Sequence, residues 1–146
     1  MAAGAAAQCV PLRPDNPPVT GGLTAPGPVQ AVLRRACFDC HSNETRWPWY
    51  AHVAPVGWLM VEHVHDGRAA LNFSHWSELA PERQTRARRR TWSEVEEGKM
   101  PLRSYLWMHR DARLAVADRA RLQAWAVGTV LESAERHEPG RNHESE

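Results

Sequence analysis

Cys37-Phe38-Asp39-Cys40-His41 reads C-x-x-C-H, and no other run restricts the possible folds of this chain as strongly. Thiols at this spacing lie on one helical turn, with an imidazole directly behind them. Both sulfurs can then reach the vinyl groups of a single porphyrin, while the histidine sits beneath the ring within reach of its iron. This is the attachment signature of c-type haem. A chain that uses the run in this way must fold around a large, flat, apolar group.

Other chemistries also use a C-x-x-C pair. A zinc site needs four ligands, but there is no second C-x-x-C, and His52, His63 and His65 complete no zinc-finger spacing with the cysteines. A thioredoxin-type pair follows a strand in an α/β pattern, and no such pattern is present. A small disulfide stays open as an alternative, although it has no need of His41. Cys9, the remaining cysteine, falls in the N-terminal stretch and reads as incidental.

The chain has 146 residues, the size of one domain. Pro11, Pro14, Pro17, Pro18, Pro26 and the Gly21-Gly22 pair make residues 1–27 an extended arm. Residues 137–146 form a polar tail. The intervening 28–136 can bury one modest core, to which haem would add apolar surface. Seven tryptophans could wall a porphyrin, but in a small helical domain they serve more often as plain core. A net charge of +1 gives no electrostatic reason to expect nucleic acid as a partner.

From Pro28 the pattern becomes helical. Pro28 suits a first helical turn, and Val29, Val32, Leu33, Ala36, Cys37 and Cys40 share one face at the 3.6-residue period. This helix is expected to end near the C-x-x-C-H. Residues 42–53 read as a loop, with Trp47, Trp49 and Tyr50 folded over the site or into the core. A second helix is predicted over 55–71 and a turn over 72–76. A third runs from Pro81 to Gly98, where glycine stops it and Pro101 prevents continuation. Residues 99–115 read as irregular, with a short turn at 105–108. A last amphipathic helix is predicted over 116–135. No segment alternates with period two, so the fold class is all-α: a small cytochrome c-like helical domain around one haem.

If haem is attached through Cys37 and Cys40, His41 is the fifth iron ligand. Methionine or histidine in the sixth position makes an electron carrier; an open position makes a sensor or small-ligand binder. Met100 is the leading candidate. It lies on non-helical backbone in Glu97-Gly98-Lys99-Met100-Pro101, free of a helix dictating its direction. Thioether sulfur is a soft ligand suited to haem iron, whereas Met60 and Met108 read as core. His52, His63, His65, His75 and His109 are nitrogen alternatives. A haem-bearing first helix, a later Met-Pro loop and a C-terminal helix follow the plan of a small class I cytochrome c. Leu122 and Trp125 are then expected to cross Val32, Leu33 and Ala36.

Beyond the single motif, long stretches resemble the bacterial haem-binding domain family with one C-x-x-C-H. They are Cys37 through Tyr50, Ala54-Pro-Val-Gly-Trp-Leu59, Asp66-Gly-Arg-Ala-Ala-Leu-Asn-Phe-Ser74 with Trp76, Glu97-Gly-Lys-Met-Pro-Leu102 and Ser104-Tyr-Leu-Trp-Met-His109. Val10-Pro11 and Asn16-Pro-Pro-Val19 fit too, so the resemblance covers about residues 10–130. It implies a cytochrome c-like domain in an exported bacterial protein. Carried over by position, Cys37 and Cys40 attach haem, His41 binds iron, and Met100 matches the family's methionine.

Covalent attachment is made outside the cytoplasm, so a periplasmic or otherwise exported protein is expected. Met1 to Ala7 is too short for a secretory h-region, and the export segment is not visible in this sequence. Membrane association is expected only through an upstream anchor. Arg86, Arg88, Arg89 and Arg90 read as a solvated helix face, with docking of a redox protein as a further use. Arg46 is expected near a haem propionate, while Asp39, Asp118 and Arg121 read as exposed. Glu94, Glu96 and Glu97 also read as surface, so no hydrolytic or other enzymatic role is expected.

Overall fold

A computed structural model of the chain describes residues 14–128. Among these the architecture is helical, with no strand: α1 (Gly27–Ala36), α2 (Phe38–His41), α3 (Val56–Ala70), α4 (Pro81–Glu96), α5 (Arg103–Met108) and α6 (Val116–Val127). Short 3-10 turns at Trp49–His52, Trp76–Glu78 and Arg110–Ala112 connect them. The all-α expectation holds. Cys9 and the expected extension of the last helix to Glu135 lie outside the described residues.

The helix boundaries have local causes. Pro26 precedes α1 and Pro28 occupies its first turn, where a missing N–H costs nothing. At Cys37 the backbone leaves helical geometry (φ −129°), so the C-x-x-C-H is a separate single turn jointed to α1. The Cys37 carbonyl accepts from the N–H groups of Cys40 (3.2 Å) and His41 (2.9 Å), closing that turn. Gly98 adopts φ 71° just past α4, and Gly128 adopts φ 78° past α6, where its N–H returns to the Trp125 carbonyl. Both are left-handed stops that glycine takes without Cβ strain. Residues 99–115 are more ordered than expected, because α5 and the Arg110–Ala112 turn occupy them.

The core sits where α1 crosses α6. Val29, Val32, Leu33, Leu122 and Trp125 are buried together, as expected for that crossing. An aromatic ladder extends it. Phe38 stacks on Phe73 with centroids 5.3 Å apart, Phe73 lies 5.9 Å from Trp76, and Trp76 lies 5.6 Å from Trp125. The rings join the C-x-x-C-H turn to α6. Such pairs add to the stabilisation from burial.

Trp49 corrects the expectation for the 42–53 loop. It is 78 % exposed, and Trp107 is 83 % exposed, because each lies on a short helical turn facing away from the core.

Residues 14–26, all outside helices, lie against the domain. The Ser74 carbonyl accepts from the Thr20 and Gly21 N–H groups, and Asn16 exchanges hydrogen bonds with the Thr45 backbone. Arg68 of α3 ties three segments together by donating to the Ser42 carbonyl (2.8 Å), the Asp15 carbonyl and Asn16 Oδ1.

Asp118 is not the exposed residue its helical pattern suggests. It is buried at the start of α6, where it accepts from Arg35 (2.7 Å) and from the Ala115 N–H (3.1 Å). Arg35 also donates to the Asp111 carbonyl, so one ion pair fastens α1 to the N-terminus of α6. Burial pushes the Asp118 carboxyl up, but the hydrogen bonds from Arg35 and Ala115, with the charges of Arg35 and Arg121, hold it below its ordinary value. Asp118→Ala is expected to cost about 1–3 kcal/mol in urea unfolding. A depressed folded-state pKa gives stability that is complete above the ordinary value of 3.8 and lost as pH falls through the lowered one. Arg35→Gln should therefore weaken the fold at neutral pH and matter less near pH 2. Equal effects at both pH values would count against the ion pair.

Candidate haem site

Cys37, Cys40 and His41 on and beside α2 line a cavity of about 350 Å³, and Met100 lines the same cavity from the loop after α4. The four candidate residues thus meet in one space although Met100 is remote in sequence. Ala36, Ala70, Leu71, Phe73, Val95 and Leu102 make much of the wall apolar. No tryptophan lines it, so the tryptophans serve the core and the surface instead.

His41 is oriented by its backbone surroundings. Its Nδ1 lies 2.9 Å from the Gly67 carbonyl and 3.1 Å from the Leu71 carbonyl. Carbonyl oxygens only accept, so Nδ1 carries the hydrogen and Nε2 keeps its lone pair for a metal. Burial lowers the His41 pKa, opposed by those same two hydrogen bonds, and so favours the neutral ring that binds metals. A backbone carbonyl holding Nδ1–H is a usual support for a ligating histidine. The signal for it in the sequence was slight: Asp66-Gly67-Arg68 stood out only within the family resemblance.

Gly67 has a second function. A Cβ there would collide with the Cys40 carbonyl oxygen and would lie 3.1 Å from the carbonyl carbon. Glycine lets α3 run backbone against backbone with the C-x-x-C-H turn, which brings its carbonyls within reach of His41.

The surroundings of both cysteines favour the neutral thiol over the thiolate. Burial, then repulsion from Cys40, pushes Cys37 up to about 12 against the pull of Arg35. Burial, then Asp39, pushes Cys40 to about 11 against Arg68. Thiols active in disulfide exchange have lowered pKa values, so this environment is the opposite of a thioredoxin-type pair. Both cysteines are free, and among the described residues no group of three or more His, Cys, Asp or Glu side chains is placed to hold a metal ion.

Met100 is set by the end of α4. The Glu94 carbonyl accepts from both the Lys99 (2.9 Å) and Met100 (3.0 Å) N–H groups, made possible by the left-handed Gly98. Of the alternative ligands, His63 on α3 also lines the cavity. Met60, Met108 and His109 line a neighbouring one of about 170 Å³, and Met108 is 67 % exposed. His52, His65 and His75 line neither.

One expectation near the motif is corrected. Asp39 is buried, not exposed, because it receives hydrogen bonds from the Arg46 backbone and guanidinium. Arg46 is turned to Asp39 and lines the smaller cavity.

The fold and site define a small all-α domain whose cysteine pair, imidazole and apolar walls suit a haem group: free thiols, a neutral nitrogen and a soft sulfur face one apolar space. Residues 3–127 match the haem-binding domain family, and the chain belongs to that family. No curated protein and no solved structure matches the chain. It is a haem-binding protein.

Gly67→Ala is expected to destabilise the fold by about 1–3 kcal/mol, as overpacking against backbone does. It should also lower the haem content of purified protein, read from the Soret absorbance per polypeptide. Full loading with unchanged stability would show that α3 has room to move away from Cys40.

Proposed function

We propose that this protein is a monohaem c-type electron carrier, with haem linked through Cys37 and Cys40 and its iron bound by His41 and Met100. The observation that carries this reading is the convergence of all four side chains on one apolar cavity. Support comes also from the His41 Nδ1 hydrogen bonds, which leave Nε2 for iron, and from the free Cys37 and Cys40 thiols on the same cavity. Bound haem supplies a one-electron iron couple.

The residues' roles follow from their chemistry. His41 is a basic nitrogen donor fixed in orientation by α3. The Met100 thioether favours ferrous iron and raises the potential. The apolar walls disfavour the extra positive charge of ferric haem in the same direction. With His41 and Met100 both holding the iron, no position on it would be left for a substrate, which fits a carrier, not an enzyme. Redox proteins are the partners, and because covalent attachment is made outside the cytoplasm, the working compartment is periplasmic or otherwise outside the cytoplasm. No helix among the described residues is long and apolar enough to cross a membrane.

Protein co-produced with c-type maturation machinery is expected to keep its haem through acid-acetone extraction, and Cys37→Ala combined with Cys40→Ala should lose it. Haem extracted intact from the unaltered protein would rule out the double thioether. For the sixth ligand, ferric protein should show the weak far-red band of methionine-ligated haem. Met100→Ala should abolish that band, lower the potential and let imidazole bind, whereas Met60→Ala and Met108→Ala should preserve it. A Met100→Ala spectrum identical to the parent would put the sensor reading, or His63 ligation, ahead.

A further inference from the structure

Tyr105 and Asp39 have no part in the ligand set, yet both line the cavity that holds it, and they also form part of the wall shared with the smaller cavity. Tyr105 Oη donates to Asp39 Oδ2 at 2.7 Å. The bond spans the site: Asp39 lies inside the C-x-x-C-H, and Tyr105 lies on α5, directly after Met100-Pro101-Leu102. Among the described residues it is the only side-chain hydrogen bond between residues 99–109 and the C-x-x-C-H turn.

Both ends of this bond are fixed. Asp39 is 7 % exposed, and its Oδ1 accepts from the Arg46 N–H (3.1 Å) and Nε (3.2 Å), while Oδ2 also accepts from Arg46 Nη2 (3.2 Å). The Tyr105 ring stacks on His109 with centroids 4.0 Å apart and planes 10° from parallel. A hydroxyl donating to such an oriented carboxylate forms a charge-assisted bond, about twice as strong as a neutral one. The methionine loop is therefore held at both ends: the Glu94 carbonyl holds the Met100 N–H on the α4 side, and Tyr105 holds the α5 side.

We propose that the Tyr105–Asp39 hydrogen bond is a clamp that keeps the Met100 loop closed over the iron, with Tyr105 as a positioning residue for the sixth ligand. The inference rests on the Met100 reading above. An added ligand must displace the Met100 sulfur and open the loop; while the clamp holds, opening also costs the charge-assisted bond.

The test uses ferric holoprotein, with imidazole as the probe. Tyr105→Phe keeps the ring and its stacking on His109, and it leaves Asp39 paired with Arg46. Its imidazole affinity is expected to rise roughly tenfold or more, as loss of a hydrogen bond to a charged acceptor implies. The far-red band should also melt at lower temperature than in the parent. Asp39→Asn weakens the same bond from the other side. It should raise imidazole affinity too, and it carries the test if Tyr105→Phe does not accumulate. In the Asp39→Asn background, adding Tyr105→Phe should raise affinity by much less than it does alone. A parent protein without the band overturns the Met100 reading and the clamp together. A parent band with unchanged imidazole affinity in Tyr105→Phe overturns the clamp alone, as does a variant that loses global stability in urea while affinity and band stay as in the parent.

Discussion

The close passage of α3 over the C-x-x-C-H turn is the constraint on which the rest of the structure depends. Gly67 has no side chain to hold the Cys40 carbonyl away, so the two backbones touch. Contact at that distance places the Gly67 and Leu71 carbonyls on His41 Nδ1. One missing methyl thus fixes a tautomer, and the tautomer decides which nitrogen keeps a free lone pair. The Phe73 N–H, donating to the His41 carbonyl at 2.7 Å, holds the same turn from two residues past Leu71.

The remaining elements prevent the turn from moving. Phe38, between the two cysteines, begins the aromatic ladder that reaches Trp125 on α6. Arg35, just before them, is bound to Asp118 at the other end of the same helix. Asp39, also between them, is held by Arg46 and met by Tyr105 from across the cavity. The residues of C-x-x-C-H that the signature leaves unspecified therefore tie the site to the fold, one toward the core and one toward the methionine loop.

This arrangement separates the site from other uses of a cysteine pair. Exchange-active thiols sit where positive charge or a helix N-terminus stabilises the thiolate. Here burial and the neighbouring Asp39 act in the opposite direction, and Arg35 and Arg68 do not overcome them. Neutral sulfur and neutral imidazole in an apolar enclosure suit a hydrophobic prosthetic group.

Much of this was legible in the chain itself. The helical period of Val29, Val32, Leu33 and Ala36 specified the buried face of α1, and proline marked the start of α1 while Pro81 and Gly98 marked the two ends of α4, because these signals depend only on local backbone chemistry. The Cys37, Cys40 and His41 spacing likewise needs no tertiary context. Pairings between distant residues could not be read this way. Asp39 and Asp118 look like surface charges until Arg46 and Arg35 are in place beside them, and Trp49 looks like core until its turn faces outward. The sequence by itself determined an all-α chain with a haem-type motif and a Met-Pro loop. Only the tertiary structure decided that Met100 would share a cavity with that motif, which nitrogen of His41 would be free, and that Tyr105 would bridge the two sides. Each of these depends on a contact between segments far apart in the chain, and no local propensity encodes it.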